Sequence, residues 1–155
     1  MVIGLISDTH DHIRAVEAAV EFFNQERVGH VVHAGDIVAQ FVLARFGRLA
    51  APMTVVYGNN DGDHPALRAR ASEFGFRIEE GPYLFALDGK RLAVSHQPVH
   101  PPECDYYIHG HTHFARVKPG FPLVVNPGEA CGWITGRSTV ALLDLVSGDV
   151  EIYEL

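Results

Sequence analysis

The sequence predicts an α/β protein in which a mostly parallel sheet packs against a second, mixed sheet, with helices outside. Two observations carry this. The first half alternates short apolar runs with segments of helical periodicity, and the second half holds mostly strand-like segments joined by tight-turn signals. Right-handed helical crossovers place consecutive strands of the first half side by side, and two sheets, each with an apolar face, bury those faces against one another. The 155 residues suffice for one domain with one core, taken as 1–155.

The elements follow in order. "VIGLIS" (2–7) is a continuous apolar run, as a buried parallel strand requires. Residues 12–26 place Ile13, Val16, Val20 and Phe23 on one helical face. "HVVH" (30–33) reads as a second strand, and Val38, Phe41, Val42 and Phe46 mark a second amphipathic helix. "MTVVY" (53–57) is a third strand. A short helix over 65–74 has Pro65 in its first turn and Gly75 just past its end. Asp88-Gly89 suits the tight turn of a hairpin over 83–95. Strands are expected near 106–109, 114–118 and 122–126, and a closing hairpin over 138–155.

Composition narrows the function classes. Hydrophobic residues make up 47% and charged residues 20%, an ordinary globular mix. No apolar run is long enough for a transmembrane helix, and the opening "MVIGLISDTHDH" has no basic segment of the signal-peptide kind. Cys104 and Cys131 have no metal or disulfide spacing, which fits a reducing, cytoplasmic setting. A formal net charge of −7 argues against nucleic acid as a specific partner, while leaving room for a small phosphate ester in a local pocket.

Nearly every chemistry-bearing polar group falls just after an expected strand. Asp8 and His10 follow the first, Gly35-Asp36 the second, and Gly58-Asn59-Asn60-Asp61 the third. His96 ends "RLAVS", and His111 and His113 follow "YYIH". Ligand groups in open α/β sheets gather at the carboxyl ends of strands, so five insertions at five strand ends point to one rim. Each motif has an ordinary reading: Asp8 or Asp36 as a helix cap, G-N-N-D as turn chemistry, His96 as a structural histidine. Their joint occurrence in order is what disfavours those readings. Asp, Asn and His donate O and N to divalent transition metals, and without Cys a structural zinc-thiolate site is disfavoured. Seven such residues exceed one tetrahedral ion and suit two ions sharing a carboxylate, roughly 3.5–4 Å apart in such pairs. Two carboxylates against two divalent ions leave the site net positive, which attracts a phosphate ester to an acidic protein.

Asp8-x-His10, Gly35-Asp36, Gly58-Asn59-x-Asp61, His96 and Gly110-His111-x-His113 together resemble the calcineurin-like metallophosphoesterase superfamily, and its small YfcE-like phosphodiesterase branch in particular. "NPG" at 126–128 strengthens the likeness, which covers nearly the whole chain. The resemblance implies a four-layer α/β/β/α sandwich of two mixed sheets flanked by helices. It implies that Asp8, His10 and His113 hold one metal ion, that Asn59, His96 and His111 hold a second, and that Asp36 bridges both. Manganese is favoured, with iron, zinc, cobalt or nickel as other occupants. A metal-bridging hydroxide would be the nucleophile on a small phosphoester. His109 and His33 fall outside the ligand set.

The chain also departs from the pattern. Asn60 stands where many members carry a His that serves as general acid or binds the transition-state oxygens, and an amide cannot deliver a proton. His12 and His100 are candidate substitutes. Asn59, Asn60, Asp61 and His96 are the expected catalytic positions, with Asp61 supporting the loop or capping the next helix. Gln97-Pro98 follows His96 where Gly is common, and Glu129 follows "NPG" where Ser is common, which puts a carboxylate near an anion site. A phosphodiesterase is the leading reading. A phosphomonoesterase, or a non-catalytic interaction scaffold like the retromer subunit of this fold, are the alternatives. Relatives are often dimers or tetramers, and apolar surface on "YLFAL" and the closing hairpin is compatible with a homo-oligomer.

Overall fold

The computed structural model describes Met1–Leu155. The apolar runs become strands β1 (Val2–Ile6), β2 (Val31–His33) and β3 (Met53–Val56), with helix α1 (Ile13–Gln25) between the first two. Helix α2 (Gln40–Leu43) with a 3-10 turn (Ala44–Arg48) lies between the next two, and α3 (His64–Glu73) follows β3. Strands β4 (Arg77–Glu79), β5 (Tyr83–Leu87), β6 (Lys90–Ser95), β7 (Tyr106–His109), β8 (Arg116–Lys118), β9 (Leu123–Asn126), β10 (Thr139–Asp144) and β11 (Val150–Glu154) complete the chain. One sheet runs β11-β10-β1-β2-β3-β4 and the other β5-β6-β7-β9-β8. Strands β1 to β4 are mutually parallel, and β10 joins β1 antiparallel. In the second sheet β6, β7 and β9 are parallel, edged by antiparallel β5 and β8. Both sheets are therefore mixed, as expected.

The period of two along β1 sorts its residues. Ile3 and Leu5 join Val32, Ala34 and Val56 against Leu92, Val94, Ile108 and Val125 of the other sheet, in the core between the sheets. Ile6, Val31, Met53 and Val55 face the helices, where Val16, Val20, Phe23, Phe46 and Leu67 cover them. All three helices lie on this first sheet. The outer face of the second is covered by the segment 96–105 in place of a helix. Cys104 packs on Ala93 and Tyr107 there, and the Tyr107 hydroxyl accepts the Val99 N–H at 2.8 Å.

Two local expectations need correction. The segment 38–46 is not one amphipathic helix: Val38 has a positive φ of 80°, only Gln40–Leu43 is α-helical, and Phe41 is 53% exposed while Val42 and Phe46 are buried. The left-handed Val38 delays the helix to one short turn, in which Val42 and Leu43 take the buried side and Phe41 the exposed one. Strand β4 was not expected. It is three residues long, only Ile78 of it is buried, and its pairing with β3 through Val55↔Ile78 defines it. Such a segment carries too little pattern to read alone.

Candidate metal centre

The turns after β1 and β2 are bound together by their backbones. Asp8 N–H donates to Gly35 C=O at 3.0 Å, and Thr9 and His10 N–H both donate to Asp36 C=O at 3.1 and 3.0 Å. The Ser7 hydroxyl reaches Ala34 C=O at 3.2 Å. These turns, and the one after β7, hold non-glycine residues in the left-handed region: φ is 52° at Asp8, 39° at His10, 60° at Asp36, and 66° at both His111 and His113. Asp and His are among the residues that tolerate this region. At about 1–3 kcal/mol each, such strain persists where surrounding structure enforces it, and it clusters at functional sites. Close approach does some of the enforcing. A Cβ on Gly58 would collide with the Asp36 carboxylate, and one on Gly110 with the Ser7 hydroxyl and Asp8.

Asp36 sits at the centre. Its Oδ2 lies 3.4 Å from His10 Nε2 and 3.2 Å from His96 Nε2. His96 Nδ1 lies 2.8 Å from Ala34 C=O. A carbonyl only accepts, so Nδ1 carries a proton, and Nε2 faces Asp36, to which it donates when protonated and beside which it would ligate a cation when not. His111 Nδ1 is 3.3 Å from that Nε2. Burial works to raise the Asp36 carboxyl, but the bonds from His96 and Asn60 outweigh it and hold it well below the usual carboxylate range. Asp8 Oδ2 accepts the His111 N–H at 3.1 Å, yet burial outweighs the bond from Ser7 and pushes its carboxyl up.

On the other side, Asp8 Oδ1 lies 3.5 Å from His113 Nε2 and 3.9 Å from His10 Nε2. His113 repeats the logic of His96. Its Nδ1 is 2.7 Å from Glu129 Oε2, so the carboxylate accepts the Nδ1–H bond and aims Nε2 inward. Glu129 is fully buried and also accepts from Ile134 N–H, Thr135 N–H and the Thr135 hydroxyl, at 2.9, 2.5 and 2.8 Å. Burial raises its carboxyl, but His113 and Thr135 bring it down to about 2. Its role therefore differs from the expected one: it does not face an anion site, because it is committed to His113 and to the loop behind it.

Six of the seven expected ligands converge. Asn59 does not join them by hydrogen bonding; it is exposed and lines an adjacent cavity of about 270 Å³ with His96, Tyr57 and Gln97. Asn60 is the amide on the cluster, with its Nδ2 on Asp36 Oδ2 at 2.8 Å and its N–H on Oδ1 at 2.9 Å. Asp61 accepts Gly58, Asp36 and Val38 N–H at 2.7, 3.1 and 2.6 Å. It thus supports the loops, as expected, with both carboxylate oxygens accepting backbone N–H groups. It does not cap α3; Asp63 does. His12 is spent as the N-cap of α1, accepting Ala15 N–H. His100 is exposed. His33, fully buried, accepts Gly35 N–H and meets Thr9 Oγ1 at 3.2 Å, and His109 bonds Gly110 C=O; both lie outside the cluster.

The cluster fits divalent cations. Asp8 Oδ1 and His10 Nε2 are buried with no hydrogen-bond partner, a state that costs about 1–3 kcal/mol per group in the absence of a ligand. The ligand atoms of Asp8, His10 and His113 lie within 4.8 Å of one another, as do those of Asp8, Asp36 and His96. A third grouping, His113, Glu129 and Cys131, is already accounted for by hydrogen bonds: the Cys131 thiol, pushed up to about 12 mainly by burial, donates to Glu129.

Two mixed sheets with Asp and His turns gathered at their strand ends form a candidate metal-binding protein, and comparison with known proteins gives the family. Residues 1–148 match the calcineurin-like phosphoesterase superfamily domain. The chain is 36% identical to a phosphodiesterase of Methanocaldococcus jannaschii over 156 residues, 93% of each chain. It superposes on the solved structure of an archaeal phosphodiesterase with a TM-score of 0.91 at 33% identity over the full length of both. YfcE, a phosphoesterase from E. coli, shares the fold at a TM-score of 0.71 and 20% identity over 100% of this chain and 98% of that one. The Vps29 of Entamoeba histolytica does so at 0.69 and 19%, with the same coverage. This chain belongs to the calcineurin-like phosphoesterase superfamily, and so to the metal-dependent phosphoric ester hydrolases.

Proposed function

We propose that the chain is a dinuclear-metal phosphodiesterase acting on a small phosphoester, with manganese as the preferred ion. Asp8, His10 and His113 hold one ion, Asn59, His96 and His111 the other, and Asp36 joins them. The observation that carries this reading is the shared orientation of two histidines. Ala34 C=O and Glu129 each accept a hydrogen bond from an Nδ1–H, so that His96 and His113 both turn Nε2 towards the Asp8–Asp36 pair. When bound, the two ions supply an activated water and neutralise charge on the phosphoryl group. Asn59 takes its place by resemblance and by lining the same cavity as His96.

The chain's own groups position and polarise. Asn60 can donate its amide hydrogens to a phosphoryl oxygen but cannot protonate a leaving group. With His12 used as a cap, His100 exposed, and His10 and His96 beside Asp36 assigned to the ions, no further side chain next to Asp36 replaces it. Esters whose leaving group departs without a proton are therefore the favoured substrates. The phosphodiesterase relative at 36% identity supports a diester over a monoester. An interaction scaffold is the weaker reading, since a scaffold has no use for oriented histidines and unpaired buried ligand atoms. The test is turnover by metal-stripped protein refilled with manganese, on a chromogenic phosphodiester and the matching monoester. Manganese-dependent diester cleavage supports the proposal, monoester preference changes the substrate class, and no turnover with any divalent metal promotes the scaffold.

A further inference from the structure

One feature of the rim is not used by the hydrolytic machinery. Trp133, the chain's single tryptophan, is 62% exposed, and its neighbour Ile134 is 66% exposed. Single exposed apolar side chains are ordinary, but an adjacent pair rimmed by polar groups forms a contact surface. Trp133 ends a row of rings that begins inside the cluster. His113 stacks on His10 with centroids 5.3 Å apart, and His10 lies 6.0 Å from the Trp133 ring. His12 meets the indole edge-on at 6.1 Å and props it from the side.

The loop that presents this indole is held firmly. Glu129 accepts the N–H groups of Ile134 and Thr135, the two residues after Trp133, and the same carboxylate fixes the His113 ring. One buried group thus sets both a candidate ligand and the aromatic surface beside it. A pre-positioned ring costs little further ordering when it binds.

We infer that Trp133 is a specificity residue whose free face stacks on a flat aromatic group carried by the phosphodiester, and that the substrate class is a nucleotide ester whose base lies over the indole. This rests on the phosphodiesterase reading above. Stacking between a base and an aromatic side chain needs no hydrogen-bond code, because every base offers a π-face. The net charge of −7 disfavours a polymer, whose many phosphates would be repelled. A mononucleotide or dinucleotide ester brings one phosphate to the metal cluster and one base to the indole.

The test compares thymidine 5′-(p-nitrophenyl phosphate) with methyl p-nitrophenyl phosphate, which share a leaving group and differ in the base. The wild-type protein, loaded with manganese, should prefer the thymidine ester in kcat/KM. In Trp133→Ala the thymidine-to-methyl ratio should fall about tenfold through KM, with Trp133→Phe restoring most of it. A ratio unchanged in Trp133→Ala overturns the inference, whatever happens to the absolute rates. A second readout needs no turnover: with one tryptophan, intrinsic fluorescence reports on this ring alone. Thymidine 5′-monophosphate should quench it saturably and methyl phosphate should not; equal responses to both overturn the stacking role. Loss of turnover on both esters with the selective quench retained would instead overturn the phosphodiesterase reading and leave the base-binding surface standing.

Discussion

At the scale of single residues, the centre is built by carboxylates with different tasks. Asp36 touches His10, His96 and Asn60 and stays ionised. Asp36→Asn keeps the shape and tolerates the left-handed backbone, yet removes the charge shared by both proposed ions. Manganese-supported diester turnover should fall at least about a hundredfold with an unchanged far-UV spectrum; a loss under threefold would remove Asp36 from the centre. Glu129 acts at one remove. Glu129→Gln leaves an acceptor for His113 but weakens its basicity, so manganese affinity measured by calorimetry should drop about 10–100-fold. Wild-type affinity would mean that His113 is not a ligand. Most of this inner set was legible from residue type and spacing, because D-x-H, G-D and G-H-x-H each sit at a strand end. Glu129's partnership with His113 was not, because only the packing of β9 and the loop after it against the β7 turn brings the two together.

At the scale of elements, the loops after β2 and β3 stand or fall together. Asp61 receives three backbone N–H groups from both loops while only 5% exposed. Asp61→Ala strands one buried and two partly buried donors, and an unpaired buried donor costs about 1–3 kcal/mol. Urea unfolding of the metal-free protein should show a loss of about 2 kcal/mol or more. A change under 1 kcal/mol would show that the loops hold without it. The sequence was informative here where a pattern runs long enough. Helix α1 was expected over 12–26 and spans Ile13–Gln25, with His12 capping it. The hairpin turning at Asp88-Gly89 forms as expected, with Leu87↔Lys90 closing it. Where a pattern is short, tertiary packing decided: the α2 region broke into α and 3-10 pieces, and β4 exists through its pairing with β3.

At the scale of the whole molecule, two sheets and a helical layer fix the geometry, and the price is a fully buried histidine beneath the site. His33 is pushed down to about 3, chiefly by burial. The sign is definite. Above pH 6.5 the ring is neutral folded or unfolded and costs nothing. As the pH falls from 6.5 towards 3, the unfolded chain binds a proton that the folded chain refuses, so stability is lost at up to about 1.4 kcal/mol per unit. The His33 ring resonances of the metal-free protein should stay in the neutral form down to pH 5 by NMR; titration near 6.5 would show that the ring is not sealed in. The overall architecture was the most legible level, since the order of strands and helices admits few right-handed topologies. The absence of a helix over the second sheet was not, because 96–105 carries little periodicity and takes its place by packing Cys104 against Tyr107 and Ala93.

The central claim is that this fold holds two ions around Asp36. The most direct measurement is an anomalous-scattering difference map from crystals of the protein grown with manganese. Two peaks per chain are expected, one among Asp8, His10 and His113 and one among Asn59, His96 and His111, with Asp36 touching both. A single peak, or a second peak away from His96 and His111, would contradict it.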